Sequence, residues 1–419
     1  MAEPPDDEAF DATITAEVED WLRIHWDPSR SVEQWWSAVA AAGWTTPHFA
    51  VSWGGRGLPR RSQLLVRAVF RRFGALMPPG GLGLLMAAPT ILTHGTPAQI
   101  ARFVPPMLDG RVAWCQLFSE PGAGSDLAGL RTRAVRDGDR WIITGQKVWS
   151  SMAREADYGM LLARTAIDRP KHAGISWFAF RLDQPGVDIR PLREATGHAI
   201  FNEVFLDAAV VDDADLIGGE GNGWAVTQTT LLFERTGIGA GGGLAGFPYP
   251  GRKSGLLDHT AGEAALMTAP AGGATVLALP ELVELARRLG RANDPLIRQR
   301  LARLATLTRI GEWTGQRGRS LGAAGMTGGF ANLGKLAQSK IVKLAAEIGM
   351  DLTGPAGLLS APDGADGGRY GEAIVFSTAS SIYGGTDEIQ RNVIGERALG
   401  LPREPDPERG RPFGGAEAG

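Results

Sequence analysis

Residues 130–149, LRTRAVRDGDRWIITGQKVW, have the composition of two β-strands joined by a turn. β-Branched and aromatic residues are frequent in both halves, and Arg136-Asp137-Gly138-Asp139 is a turn signal between them. Runs of the same character flank this stretch: AWCQLFS (113–119), YGMLLART (158–165), ISWFAFRL (175–182) and NEVFLDAAVV (202–211). Together they predict a central antiparallel β domain, a barrel or a sandwich, over residues 111–217.

Helical periodicity lies on both sides of this domain. The segments before it are Ala12–Trp26, Val32–Ala42, Arg61–Phe73 and Thr96–Leu108. The segments after it are Trp224–Arg235, Pro280–Leu289, Pro295–Gly318, Leu333–Leu352 and Glu372–Ser381. We therefore predict an α+β protein with an N-terminal helical domain (1–110) and a C-terminal helical bundle (218–419). A Gly-rich insertion (237–279) interrupts the bundle, and we predict that its part 239–255 is mobile or acts as a lid.

Composition narrows the class of protein. A chain of 419 residues can form two or three domains around a sizeable core. Its 43 basic and 46 acidic residues give a net charge of −3, so nothing favours binding to nucleic acid or to an anionic membrane. The single cysteine, Cys115, excludes an internal disulfide, and the acidic start MAEPPDDEAF is unlike a signal peptide. We therefore expect a cytoplasmic protein.

Three further kinds of feature are not indicated by the sequence. The six histidines are scattered without short-range pairing, so no metal site is expected. The longest apolar run, Leu82–Leu92, is far shorter than the ~20 residues of a membrane helix. A G-x-G-x-x-G match at Gly241–Gly246 does not follow a strand, so it is not interpreted as a dinucleotide fingerprint.

Two motifs in the β region are suited to a flat heterocycle that carries phosphates. SEPGAGSD (119–126) can present backbone N–H groups and hydroxyls to a diphosphate, although a tight surface turn has the same composition. GQKVWSS (145–151) places Trp149 at a strand end before two serines. An aromatic wall beside hydroxyls suits a flavin, and the alternative is a core tryptophan.

Two motifs in the helical region carry candidate carboxylates. LLFERTGIG (231–239) places Glu234 and Arg235 at the end of an apolar helix, where a raised pKa suits a base for a weakly acidic C–H; the alternative is a solvated helix end. SIYGGTDEIQRNVIGERALGLP (381–402) contains a Gly-Gly turn that allows close backbone approach. Glu388 and Gln390 follow that turn, and the alternative there is a helix start capped by Thr386.

In this order, the four motifs resemble the acyl-CoA dehydrogenase family over about residues 35–400. The resemblance implies an N-terminal helical domain, a central β domain and a C-terminal four-helix bundle. It also implies FAD between the β domain and the bundle, partly contacted by a neighbouring subunit. The implied reaction is α,β-dehydrogenation of an acyl-CoA thioester, in which a base removes the α proton and the β hydride passes to flavin N5.

The resemblance assigns roles to individual residues. Those implied to bind FAD are Gln116, Leu117, Phe118, Ser119, Gly124, Ser125, Trp149, Ser150, Ser151, Thr386 and Glu388. The first four line the flavin ring, the glycine and Ser125 face its diphosphate, and the last two hold its adenosine end. Trp149 stacks beside the ring, and Ser151 hydrogen-bonds near its reactive edge. Those implied to contact the acyl-CoA are Ser125, Arg235, Tyr383 and Gly384, the last through a backbone N–H that polarises the thioester oxygen.

The chain departs from the family pattern in three places. Many members carry the catalytic Glu directly after the Tyr of the late motif, where this chain has Gly384. Isovaleryl- and long-chain-type members carry it on an earlier helix just before an Arg, and Glu234-Arg235 fits that position, so Glu234 is the predicted base. Asp387 is a weaker rival, because the start of its helix should point its carboxylate to solvent. The R-x-x-F-G segment has no clear match, and Leu352–Gly357 replaces the F-G-G-x-G segment.

These departures are similar to an actinobacterial branch that handles sterol side chains and other bulky acyl groups. The resemblance implies a branched, ring-bearing or long acyl group, with an electron-transfer flavoprotein as oxidant. It also implies a homo-oligomer (dimer or tetramer) or a hetero-oligomer with a related subunit. Two alternatives remain open: a flavin oxidase or monooxygenase on the same fold, and a catalytically silent subunit of a mixed-subunit complex.

Overall fold

The computed structural model describes residues 7–238, 248–268, 276–323, 329–405 and 410–415. Its helices are α1 (Asp7–His25), α2 (Val32–Ala41), α3 (Ser62–Phe73), α4 (Ala88–His94), α5 (Pro97–Leu108), α6 (Gly223–Ile238), α7 (Ala261–Met267), α8 (Leu279–Arg288), α9 (Pro295–Ala323), α10 (Phe330–Thr353), α11 (Arg369–Ser377) and α12 (Asp387–Val393). Its strands are β1 (Trp114–Leu117), β2 (Arg133–Asp137), β3 (Arg140–Lys147), β4 (Tyr158–Arg164), β5 (Ile175–Arg181), β6 (Val187–Leu192), β7 (Phe201–Asp212) and β8 (Leu216–Ile217). The predicted order of helices, sheet and helices is confirmed.

The sheet is largely antiparallel, as predicted, and two of its strand pairs, β1–β4 and β2–β4, are parallel. Its strands follow the order β6-β7-β3-β2-β4-β5-β8, and β1 pairs with β4 off this path. β1 runs parallel to β4, with Trp114 opposite Tyr158 and Leu117 opposite Leu161. The side chains of β4 and β5 are buried on both faces, because one face packs on N-terminal helices and the other on the core of the β domain.

The first helices surround a core rich in tryptophan. Trp35 and Trp36 on α2 are fully buried, and their indole N–H groups donate to the carbonyls of Leu76 and Met77 at 2.9 and 3.0 Å. No helix or strand is predicted from the sequence over the apolar run Leu82–Leu92. It forms a π-helical turn, Gly83–Ala87, that continues into α4, and both segments pack against α6.

The Gly-rich insertion is ordered where the structure describes it. The Gly251 N–H donates to the Gly110 carbonyl at 2.9 Å, and Leu256 and Ala261 join the core of the N-terminal helices. Residues 248–255 of the segment predicted to be mobile or lid-like thus lie beside residues that pack on the N-terminal helices. Residues 239–247, which include the G-x-G-x-x-G match, lie outside the described ranges.

The C-terminal helices pack around α10, which contacts α8, α9, α11 and α12. Their shared core includes Leu285, Ile297, Ala345 and Ile348. The predicted helix Glu372–Ser381 begins earlier, as α11, and ends in a 3-10 turn, Thr378–Ser381. Within the described ranges, every helix is too short or too polar to cross a bilayer.

Candidate active site

A cleft opens where α6 and α10 meet the turn that precedes α12. It encloses about 370 Å³, its open mouth included, and is lined by Glu234, Arg235, Lys335, Gln338, Ser380, Tyr383 and Gly384. The structure thus brings together four residues predicted from two distant motifs: Glu234, Arg235, Tyr383 and Gly384. The predicted substrate residue Ser125 is not among the residues that line this cleft.

Glu234 lies in the last turns of α6, and the buried residues Thr227 and Thr230 precede it on the same helix. Its residue surface stays partly open to the cleft. The protein packed around its carboxylate nevertheless raises its pKa, although Arg235 and a hydrogen bond from the Gln116 side chain oppose that shift. A carboxylate of raised pKa that is open to a cleft is suited to accept a proton from a bound molecule.

The Glu234 carboxylate lies close to the position that a side chain at Gly384 would occupy. The Gly384 backbone has a φ of +64°, and a Cβ added there would lie 4.0 Å from Glu234 Oε1. Carboxylates borne on either backbone position therefore reach the same part of the cleft. With glycine at 384, that part of the cleft is left to Glu234.

The turn that carries Gly384 is tied to its surroundings by polar side chains. Gln390 Nε2 donates to the carbonyls of Gly384 and Gly385 at 2.9 and 3.2 Å. Thr386 caps α12, since its Oγ1 accepts from the Ile389 N–H at 3.2 Å. Among the predicted FAD residues, Glu388 is an exposed side chain paired with Arg391 at 3.0 Å.

Asp387 corrects an expectation. We expected the helix start to point its carboxylate to solvent, but its side chain is only 15% exposed. It accepts hydrogen bonds from the hydroxyls of Ser339 at 2.8 Å and Ser381 at 3.0 Å, and lies 3.5 Å from Lys335 Nζ. Burial alone would raise the pKa of Asp387, yet these three partners lower it overall. Asp387 therefore stays ionised and anchors the turn to α10.

The end of β1 and the loop after it carry the four residues that are expected to line the flavin ring. Leu117 and Phe118 point their side chains into the two cores that flank the sheet, so only Gln116 and Ser119 keep partly open side chains. Any contact of Leu117 or Phe118 with a flavin is thus a backbone contact. The Phe118 carbonyl accepts from the fully buried Lys147 Nζ at 3.1 Å.

Lys147 also fixes the start of the SEPGAGSD loop. Its ammonium lies 2.8 Å from Glu120 Oε1, and Glu120 accepts from the N–H groups of Arg131 and Thr132 at 2.6 and 2.9 Å. Burial lowers the pKa of Lys147 to about 8. Burial alone would raise the pKa of Glu120, but the charge of Lys147 lowers it overall, so both groups are charged near neutral pH.

The tip of the loop is available to a ligand. Backbone hydrogen bonds between Glu120 and Ala123, at 3.0 Å in both directions, close the turn. Gly124 and Ser125 are exposed, and no atom lies within 4 Å of a Cβ added to Gly124. The loop is held at its far end by an ion pair between Asp126 and Lys171.

The residues at the end of β3 fit a planar aromatic group that accepts hydrogen bonds. Trp149 has a left-handed φ of +61° and leaves 57% of its surface exposed. Ser150 is fully buried, yet its hydroxyl has no hydrogen-bond partner in the described part of the chain. Ser151 follows with a partly open side chain. An exposed indole beside a buried hydroxyl without a hydrogen-bond partner among the described residues fits a flavin.

Comparisons with known proteins agree with this geometry. Models of three acyl-CoA dehydrogenase domains match the chain, the N-terminal domain over residues 7–111, the middle domain over 115–209 and the C-terminal domain over 257–399. The acyl-CoA dehydrogenase IpdE1 of Mycobacterium tuberculosis is 40% identical over 377 residues, which cover 88% of each chain. The chain belongs to the acyl-CoA dehydrogenase family. It is therefore an acyl-CoA dehydrogenase-type oxidoreductase, and its family implies a flavin cofactor.

Solved structures show the same fold. The Tcur3481-Tcur3483 steroid ACAD has a TM-score of 0.73 at 23% identity, over 96% of this chain and 99% of that chain. The ChsE4-ChsE5 complex from Mycobacterium tuberculosis has a TM-score of 0.68 at 24% identity, over 96% of this chain and 100% of that chain. At this identity, the likeness is one of fold.

Three residues of the acyl-CoA dehydrogenase cleft were missed in the sequence: Lys335, Gln338 and Ser380. In the sequence, Lys335 and Ser339 lie four residues apart on one face of the predicted helix Leu333–Leu352, but this spacing alone does not show that the face is buried. Both are almost fully buried, at 8% and 1% exposed. Two buried polar residues at that spacing indicate a polar partner across the helix interface, which is Asp387.

Proposed function

We propose that this chain catalyses FAD-dependent α,β-dehydrogenation of an acyl-CoA with a branched, ring-bearing or long acyl group, with Glu234 as the base. The observation that carries the proposal is the position of the Glu234 carboxylate in the cleft, where its Oε1 lies 4.0 Å from a Cβ added to Gly384. Gln116, Ser119, Ser125 and Trp149 to Ser151 would hold FAD on one side, and Thr386 and Glu388 its adenosine end. FAD supplies the acceptor for the β hydride.

Each residue of the cleft has a task in this proposal. Glu234 takes the α proton, and the raised pKa of its carboxyl makes it a stronger base than an exposed carboxylate. The α proton of a thioester is weakly acidic, so the thioester oxygen must be polarised while the proton leaves. The backbone N–H of Gly384 is the donor for that oxygen, a kind of interaction that contributes ~3–4 kcal/mol to catalysis in comparable sites.

The substrate class follows from what the turn lacks. Glycine at 384 leaves the space beside the thioester free of a second side chain, so wider acyl groups can enter. The structural relatives support this class, because one of them is a steroid ACAD. We further propose an electron-transfer flavoprotein as oxidant and assembly with a second copy or with a related subunit, as in the ChsE4-ChsE5 complex.

The proposal is tested with Glu234→Gln, which keeps size and hydrogen bonding but removes the base. General-base catalysis is worth ~10²–10⁴ in rate, and we expect anaerobic flavin reduction by a panel of acyl-CoA esters to fall by about 10⁴. Flavin content should be unchanged. The matched control is Glu347→Gln on α10, where the carboxylate pairs with Arg300 at 2.6 Å outside the cleft.

Four results would contradict the proposal or a part of it. If Glu234→Gln reduces its flavin at a near wild-type rate, the base lies elsewhere. If the wild-type chain, alone and with each candidate partner subunit, holds no flavin, the chain is a silent subunit. Reoxidation by ferrocenium rather than by oxygen separates the dehydrogenase from an oxidase or monooxygenase, and turnover of butyryl-CoA above bulky esters would exclude the proposed substrate class.

A further inference from the structure

Gln390 is buried directly beneath the turn that carries Gly384. It is 2% exposed, and its amide nitrogen donates to two consecutive carbonyls, those of Gly384 and Gly385. Its amide oxygen accepts from Asn332 Nδ2 at 2.7 Å. Gln390 lies on α12 and Asn332 on α10, so this chain of hydrogen bonds joins two helices to the turn between them.

The turn needs this support because its backbone is unusually free. Gly384 and Gly385 have φ angles of +64° and +84°, and two successive glycines restrict neither φ nor ψ strongly. The Gly384 N–H shares its planar peptide unit with the Tyr383 carbonyl, and the Tyr383 N–H is itself held by the Ala379 carbonyl at 3.0 Å. Gln390 holds the other side of Gly384 through the Gly384 carbonyl, so the backbone is anchored on both sides of the donor. By holding both carbonyls, Gln390 removes the freedom that the glycines leave.

The contact is also close enough to require glycine. A Cβ added to Gly385 would lie 2.6 Å from Gln390 Nε2, so any side chain at 385 would displace the glutamine amide. The second glycine of the turn is thus explained by the approach of Gln390. The first is explained by its φ of +64°, because a Cβ added to Gly384 would lie at an ordinary contact distance of 4.0 Å from Glu234 Oε1.

We propose that Gln390, itself oriented by Asn332, is a positioning residue that sets the Gly384 backbone donor against the Glu234 carboxylate. This inference rests on the proposed function, because it presumes that a thioester oxygen lies at that donor. Neither side chain touches the substrate. Their effect is on the geometry of the donor, so it appears in the polarisation and turnover of a bound thioester rather than in its affinity.

The test uses Gln390→Met, which keeps the length of the side chain but cannot donate to the carbonyls, and Asn332→Leu. The probe is 4-(dimethylamino)cinnamoyl-CoA, a ring-bearing enoyl thioester whose absorption maximum shifts to the red when its carbonyl is polarised. We expect both variants of the flavin-loaded enzyme to lose most of that red shift. We also expect kcat to fall about 10- to 100-fold with KM nearly unchanged, since misplacement by about 1 Å can cost 10²-fold.

Asn332 acts only through Gln390 in this proposal, so the double variant should be no worse than Gln390→Met alone. The matched control is Gln184→Met, because Gln184 also bridges two backbone groups, the Arg181 carbonyl and the Val210 N–H, on the β domain. The control should keep the wild-type shift and rate.

A wild-type shift and kcat in Gln390→Met and Asn332→Leu would overturn the inference while the proposed function stands. Equal losses in kcat and in thermal stability for both variants, with the red shift intact, would overturn it as well, since that pattern describes a merely structural contact. Absence of any shift and any turnover in the wild-type protein would instead reject the proposed function, and the inference with it.

Discussion

Glu234 carries a charge in surroundings that disfavour it, and this has a consequence for stability. The protein around the carboxyl raises its pKa above the ordinary 4.5, so the folded protein binds the proton more tightly than the unfolded chain does. The stabilisation from that protonation is full below pH 4.5 and is lost as the pH rises through the folded pKa. At a pH above that folded pKa, the ionised carboxylate therefore lowers the free energy of unfolding.

Glu234→Gln should remove this cost and make the inactive enzyme more stable. We expect the thermal midpoint of the variant to exceed that of the wild type at pH 8, and the difference to shrink towards zero at pH 4.5. Scanning calorimetry at the two pH values measures it. Glu347→Gln, at an exposed ion pair, should show no such pattern, and a pH-independent difference for Glu234→Gln would show that its pKa is not raised.

The residues of the cleft were predictable where they belong to local motifs, and not where distant segments meet. Glu234 and Gly384 were found because each stands in a motif that resembles a segment of the acyl-CoA dehydrogenase family. Lys335 stands in an ordinary helical run, and its environment depends on packing against α12. Asp387 was misjudged for the same reason, because the first turn of a helix faces solvent only when no neighbouring helix supplies partners such as Ser339.

The segment after the Gly-rich run is an element whose docking can be tested at one glycine. Gly251 has a φ of +87°, and a Cβ there would lie 2.8 Å from both the Ala113 Cβ and Asp157 Oδ2. Gly251→Ala therefore adds a steric clash to the strain of an alanine at φ +87° and ψ 156°, a region essentially restricted to glycine, and this strain costs at least about 1 kcal/mol by itself. Gly255→Ala is the matched control, since its φ is +76° but no atom lies within 4 Å.

We expect Gly251→Ala to lower the free energy of unfolding by about 2–4 kcal/mol, because overpacking adds ~1–3 kcal/mol to the strain. Gly255→Ala should lose only the ~1 kcal/mol of strain. Urea unfolding measures both, and limited proteolysis should cleave Gly251→Ala first near Tyr249. Equal losses in the two variants would mean that the segment does not dock on the β domain.

The elements themselves were predictable to differing degrees. Strands β3, β4 and β5 were found because buried strands are rich in β-branched and aromatic residues. β6 was missed because it is half exposed and contains Pro191, which weakens a strand pattern. The parallel pairing of β1 with β4 was not predictable, since composition does not reveal which distant strand becomes a neighbour.

The molecule as a whole is organised around α6. This helix packs on β5 and α4 along its length and presents Glu234 to α10 near its end. Buried hydroxyls fix it against the N-terminal helices, as Thr90 Oγ1 and Thr230 Oγ1 lie 3.1 Å apart. All the residues that line the cleft lie in the C-terminal region, and α6 connects them to the N-terminal helices and to the β domain.

The end of the chain closes a second long-range contact, on the β domain. Phe413 lies over the guanidinium of Arg164, whose Cζ is 3.5 Å from the ring centroid. The N–H groups of Phe413 and Gly414 donate to the carbonyls of Arg169 and Ile167 at 3.0 and 2.8 Å. Arg164 is 2% exposed and donates in turn to the carbonyls of Ala128 and Leu130, which follow the SEPGAGSD loop.

Phe413→Ala should therefore loosen a loop that is distant in sequence. A desolvated cation–π contact is worth up to about 2 kcal/mol, so local opening around Arg164 should become about 5- to 30-fold more frequent. Hydrogen exchange in peptides covering 126–131 and 166–172 measures this opening, and Phe413→Trp, which keeps an aromatic face over the guanidinium, is the control. If exchange in both peptides is unchanged in Phe413→Ala, the tail rests on the β domain without stabilising the candidate diphosphate loop.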